Sequence, residues 1–149
     1  MKKIIIILTF ISFLAGAIVY LLIPRFNEYQ LDGEIQLEVL NDEVTIHRDE
    51  HGIPYVFAEN TADLFRAQGF VVAQDRLFQI EMYRAIIQGR LASIIGASGL
   101  DSDIQMSVLG LRDQAASHYE YLDEASKDYL RWYAQGHTEF VSTREDEYP

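Results

Sequence analysis

Asp75, Glu81 and Arg84 lie in a helical stretch from about Ala62 to Gln88 that has apolar residues on more than one face and little polar surface. Charges in such a place either work in acid–base chemistry or are held by partners, because an unpaired buried charge costs several kcal/mol. Glu81 and Arg84 are three residues apart and can pair on one helix face. Asp75 and Arg76 are adjacent and point to different sides, so each needs its own partner elsewhere. A scaffold role is expected for this group. His47, His51, His118 and His137 are the four histidines, and no pair has the helical spacing of a zinc-protease site. His118 and His137 fall on polar helix positions. Asp49-Glu50 and Asp101-x-Asp103 offer paired carboxylates to a hard cation, but neither belongs to an EF-hand loop, and turn or capping roles are expected. There is no cysteine, which excludes disulfides, thiolate zinc sites and a thiol nucleophile. No residue is assigned a catalytic, cofactor-binding or metal-binding role.

Several elements must position these residues. Ile35, Leu37 and Val39 alternate with Glu34, Gln36 and Glu38, the period of a strand with one buried face. Asn41-Asp42 is a turn signal, and Val44 and Ile46 resume the alternation, which predicts a hairpin. Asp49-Glu50-His51-Gly52 is a second turn, Pro54 marks a strand start, and Ile53 to Ala58 reads as a third strand. Asn60-Thr61 starts a helix with Asp63 in its first turn. That helix runs from about Ala62 to Gln88, with Ala73, Leu77, Ile80 and Ile87 on one face and Val71, Phe78 and Met82 on another. Gly69 within it permits close packing or marks a break. A short apolar turn follows over 91–95, then a loop over 96–99. Further helices are predicted from Asp101 or Ser102 to Leu109, over 111–121, and over 124–141 behind an Asp123 cap. Tyr129, Trp132, Tyr133, Gly136 and Phe140 share helical spacing, read as core packing rather than a binding groove.

The ends differ in character from this middle. Met1-Lys2-Lys3 precedes Ile4 to Ile23, twenty residues without a charge. A helix of that length is ~30 Å long, about the thickness of bilayer hydrocarbon. Residues 1–24 therefore read as a signal-anchor or signal peptide that contacts the membrane through residues 4–23. The two lysines favour a cytoplasmic N-terminus, which would leave the rest of the chain outside as a single-pass cell-membrane protein. Ala15-Gly16-Ala17 also fits a signal-peptidase site. Residues 25–33 read as a tether and 34–149 as the domain. All 23 acidic residues but only 10 of the 12 basic ones follow Pro24, a balance of −13. Such a chain cannot neutralise phosphates, so nucleic acid is not a partner. The polar run 142–147 before Pro149 does not resemble a finished domain, and three strands are few to cover a long buried helix. Both features predict that the coding sequence continues.

Four stretches in order resemble the penicillin acylase (penicillin amidase) family of N-terminal-nucleophile hydrolases. The first is Val44 to Ala58, with Arg48-Asp49 and Gly52-Ile53-Pro54. The second is Ala67 to Glu81, containing Ala73-Gln74-Asp75-Arg76-Leu77. The third is Arg84, Gln88-Gly89-Arg90-Leu91-Ala92 and Gly96. The fourth is Leu100 to Leu111, with Asp103 and Leu109-Gly110-Leu111.

The resemblance implies an α+β chain forming part of a four-layer αββα sandwich, its strands completed by a β-subunit part cut from the same precursor. It implies hydrolysis of a linear, non-peptide amide in an acylated small molecule such as a β-lactam antibiotic. The nucleophile would be an N-terminal Ser whose own α-amine is the base. This chain matches only part of the family's α subunit. Ser93, Ser98, Ser102, Ser107, Ser117, Ser126 and Ser142 all lie in α-type sequence and none matches the nucleophile. The region that helps bind the family's structural calcium is absent too, so no cofactor is expected in this stretch. An N-acyl-homoserine lactone acylase is the alternative within the family. A membrane-tethered, non-catalytic binding module is the alternative of another class. Reading the DNA past codon 149 separates these: a long open frame supports the hydrolase and a stop codon the module.

Overall fold

The computed structural model describes the backbone of residues 2–22 and 33–144, and the side chains of residues 10–21 and 33–144. Two units are present, 1–35 and 36–149. In the first, helix α1 spans Lys2–Leu22. Among the described residues, no helix is long and apolar enough to cross a membrane. The membrane-spanning helix expected over 4–23 is thus not found. The tether expected at 25–33 falls almost wholly outside the described residues.

The second unit opens with an antiparallel hairpin of β1 (Val44–Arg48) and β2 (Pro54–Ala58), in which Val44 faces Ala58 and Arg48 faces Pro54. Gly52 makes the turn possible. It sits at φ 78°, where a Cβ is disfavoured, and its N–H donates to the Asp49 carbonyl at 2.9 Å. Helix α2 (Thr61–Ile87) follows, capped by the Asn60 side chain, which accepts from the Asp63 N–H. Helix α3 (Ala92–Ile95) leads through a 3-10 turn at Gly96–Gly99 into α4 (Leu100–Leu109) and α5 (Leu111–Glu120). The last helix, α6 (Glu124–Ser142), begins at an Asp123 cap as expected.

Helix α6 packs along α2. Two glycines allow their backbones to approach. A Cβ on Gly136 would lie 2.6 Å from the Arg66 carbonyl carbon, and one on Gly69 would lie 3.1 Å from the His137 nitrogen. Gly69 therefore serves close packing, and the break in α2 comes later, at Arg76, whose backbone leaves the helical region. The core forms where the helices meet. Phe70, Ala73 and Phe140 are buried, with Leu37 and Leu77 packed against them. The Phe70 and Phe140 rings meet edge to face at 5.4 Å. Burying each ring contributes about 1.5–3 kcal/mol. The aromatic stripe of α6 packs into the core only in part: Gly136 and Phe140 are buried and Trp132 and Tyr133 half-buried, whereas Tyr129 is exposed and stacks on Phe65 at 4.7 Å.

The sheet differs from the sequence expectation. Residues 35–39 form no strand, so among the described residues the sheet has two strands. The physical reason lies in where the backbone donors of this segment go. The Glu38 N–H donates to the Glu139 carboxylate at 3.1 Å, and the Asn41 and Asp42 N–H groups donate to Asp63. Side chains from α2 and α6 satisfy groups that a sheet ladder would otherwise use. The alternation of Ile35, Leu37 and Val39 instead serves to bury Leu37 against Phe140 and Phe70.

Candidate functional site

The hairpin turn is locked onto α2 by Arg48 at the end of β1. Its Nη1 donates to Asp75 Oδ2 at 3.0 Å and to the Gly52 carbonyl at 2.9 Å. Its Nη2 donates to Asp75 Oδ1 at 2.8 Å and to Gln74 Oε1 at 2.9 Å. This is a forked guanidinium–carboxylate pair, the geometry that gives charge-assisted bonds their strength and direction. Asp75 thus has the partner that the sequence required. Arg76 does not: among the described residues it makes no hydrogen bond or ion pair. It lines an open cleft of about 600 Å³ together with His51, Pro54, Val72 and Gln79. Asp49 closes the turn itself, accepting from the His51 and Ile53 N–H groups at 2.9 Å each.

Asp63 joins α2 to the segment before the hairpin. Its side chain is fully buried. It accepts from the Asn41 N–H at 3.1 Å, the Asp42 N–H at 2.9 Å, Asn60 Nδ2 at 2.8 Å and Arg66 Nη1 at 2.9 Å. Burial opposes its charge, but the Asn60 amide, the two backbone donors and Arg66 together outweigh that penalty and hold the carboxyl at about 2. The sequence reading placed Asp63 only in a first turn. The signal that could have revealed more is Asn60-Thr61-Ala62-Asp63, a cap followed three residues on by an acid.

Asp103 makes a third joint. Its carboxylate accepts from the Leu91 N–H at 2.6 Å and the Ala92 N–H at 2.9 Å, so α4 caps the start of α3. Asp101 and Ser102, the expected caps of α4, lie inside that helix, which has no side-chain cap. The predicted Glu81–Arg84 pair is present at 2.6 Å. His51 and His118 are exposed. His137, expected on a polar helix position, is instead half-buried, and its Nε2 is buried without a hydrogen-bond partner among the described residues. Burial pushes its pKa below the ordinary value. The Glu81 carboxylate raises it in part and the Arg84 guanidinium lowers it.

These groups build joints rather than a reaction centre. The hydroxyls of Ser93, Ser98, Ser117 and Ser142 donate to nearby backbone carbonyls, and that of Ser126 donates to the Asp123 cap. Among the described residues, no serine hydroxyl donates to a histidine. No group of three or more acidic, histidine or cysteine side chains there could hold a metal ion.

Comparison with known proteins assigns the framework. The penicillin amidase family profile matches residues 43–149, a span that contains the Arg48–Asp75 and Asp103 joints whole and the Asp63 carboxylate of the other, whose backbone donors at Asn41 and Asp42 lie just before it. The chain belongs to the penicillin amidase family. The penicillin acylase 2 proenzyme of Pseudomonas sp. (strain SE83) is 39% identical over 113 residues, covering 76% of this chain and 15% of that relative. Penicillin G acylase of Escherichia coli is 39% identical over 103 residues, covering 66% and 12%. An acyl-homoserine lactone acylase of Pseudomonas fluorescens (strain Pf0-1) is 31% identical over 117 residues, covering 78% and 14%. Among solved structures, a thermostable penicillin G acylase from Alcaligenes faecalis superposes with a TM-score of 0.60 at 31% identity, over 72% of this chain and 58% of that chain. The mixed helix-and-strand fold is thus that of the penicillin acylases. The chain spans about one-seventh of the length of these curated family members.

Proposed function

We propose that this chain is the α-type scaffold of an amidohydrolase that cleaves the linear amide of an acylated small molecule, such as a β-lactam antibiotic. In this reading a β-type part of the same precursor supplies the nucleophile, the N-terminal serine with its own amine as base. The single observation that carries the reading is the 39% identity to the penicillin acylase 2 proenzyme over 113 residues. Exposed apolar side chains support a companion polypeptide. Tyr55 and Phe57 stand on the outer face of the hairpin, 51% and 58% exposed, and Val108 on α4 is 82% exposed. A two-stranded sheet with such a face is not stable by itself in water and has two unpaired edges.

The acyl-homoserine lactone acylase reading has its own support in the 31% identity over 117 residues. Both readings place the same scaffold around different acyl groups. The test is expression of the chain alone and together with the coding sequence that follows it. Each preparation is then assayed against penicillin G and against N-acyl-homoserine lactones of several chain lengths. Hydrolysis is expected only from the longer product, with loss on replacing its new N-terminal serine by alanine. Turnover by the 149-residue chain alone, or none by either preparation on any acyl amide, would overturn the proposal. The latter result favours a non-catalytic binding module.

A further inference from the structure

We propose that His137 is an acid-sensitive latch at the crossing of α2 and α6. The imidazole sits beside the close approach that Gly69 permits, where the His137 backbone nitrogen would stand 3.1 Å from a Cβ on that glycine. Its Nε2 is buried with no hydrogen-bond partner among the described residues. The neutral ring with its proton on Nδ1 fits there at the cost of one unsatisfied acceptor. The protonated ring would also bury an N–H donor and a positive charge.

From α2 two charged groups act on the ring, Glu81 and Arg84. They are bonded to each other at 2.6 Å, so the carboxylate that could receive the imidazolium proton is already engaged. On α6 itself, Glu139 accepts from the Glu38 N–H through one carboxylate oxygen at 3.1 Å. Among the described residues, His137 makes no hydrogen bond or ion pair with either carboxylate. Burial lowers its proton affinity in the fold, whereas an unfolded histidine titrates near its ordinary 6.5. Where the unfolded chain binds more protons than the folded one, stability falls as pH falls. The crossing is therefore full strength above about pH 6.5 and weakens as the solution is acidified below that value. The carboxylate joint at Asp63, held at about 2, does not titrate in this window. The latch belongs to the chain itself, whatever polypeptide accompanies it.

Hydrogen exchange of the full chain in mild detergent tests this, followed from pH 7.5 to 5.5 by mass spectrometry and corrected for the intrinsic pH dependence of exchange. Peptides covering 130–141 should lose at least about threefold in protection on acidification. His137→Leu should abolish that dependence, and His137→Gln should give weaker but pH-independent protection. Arg84→Gln removes a charge that lowers the His137 proton affinity and leaves Glu81 to the imidazole, so the folded pKa rises toward the unfolded one and the acid loss should shrink. His51→Gln and His118→Gln should leave the profile unchanged. A wild-type profile that is flat, or one that His137→Leu does not alter, would overturn the latch.

Discussion

Replacing Asp63 by Asn removes the charge at a fully buried carboxylate while keeping its shape. In the native chain this group receives two backbone N–H groups, the Asn60 amide and the Arg66 guanidinium. Its pKa falls from 3.8 to about 2, and each unit corresponds to 1.36 kcal/mol, so the ionised form contributes roughly 2 kcal/mol at neutral pH. The folded pKa is depressed, so this contribution is complete above the unfolded value near 4. It is lost as pH falls through that value toward 2. Asp63→Asn should therefore cost at least ~2 kcal/mol at pH 7, and its stability should decline less than that of wild type between pH 5 and 2. Asp63→Ala should cost more, ~3–5 kcal/mol, because it leaves the largely buried Arg66 charge unpaired. Urea unfolding across this pH range, monitored by tryptophan fluorescence from Trp132, reads both effects. If Asp63→Asn costs less than about 1 kcal/mol at pH 7 and keeps the wild-type acid limb, the carboxylate is not the joint described here.

Two further substitutions probe the other contacts that hold the helices. Gly136→Ala places a methyl 2.6 Å from the Arg66 carbonyl carbon, and the backbones must separate. A loss of ~3 kcal/mol or failure to fold is expected, measured by thermal melting, whereas the exposed Ala134→Gly should cost only ~1 kcal/mol. Asp103→Ala strips the acceptor from the Leu91 and Ala92 N–H groups and should cost ~1–3 kcal/mol, with faster hydrogen exchange confined to 91–95 at first. Exchange there at the wild-type rate would show that water replaces the carboxylate without loss.

Local signals carried well from sequence to structure where one element decides its own shape. The long helix at Thr61–Ile87, the Asp123 cap and the Glu81–Arg84 pair all depend on residues within a few positions of each other. The 35–39 segment did not, because its Glu38 N–H goes to Glu139, 101 residues away, and Asn41 just beyond it is held by Asp63, 22 residues away. Arg48 shows the same limit. Its place beside Asp75 closes 27 residues, and nothing local in either sequence names the other as partner. His137 was misplaced for a related reason: its helical phase is polar, but Gly69 lets α2 come near enough to cover it. A composition of one helix cannot report how closely another approaches.

Two of the motifs that mark the family, those of Arg48–Asp75 and Asp103, are therefore joints between elements, as is Asp63 outside them, and their chemistry explains why they are ionic. Arg48–Asp75 ties hairpin to helix, Asp63 ties helix to the preceding segment, and Asp103 ties α4 to α3. Apolar packing alone fills volume but tolerates sliding, whereas a forked or multiply bonded carboxylate holds one register. The buried core here is small, with Phe70, Ala73 and Phe140 at its centre, and small cores leave orientation weakly determined. A scaffold whose outer hairpin face carries exposed Tyr55 and Phe57 must present that face at a fixed angle if another layer is to pack on it. The directional bonds supply that angle from the inner side, where Arg48 and Asp75 grip the turn between the two strands.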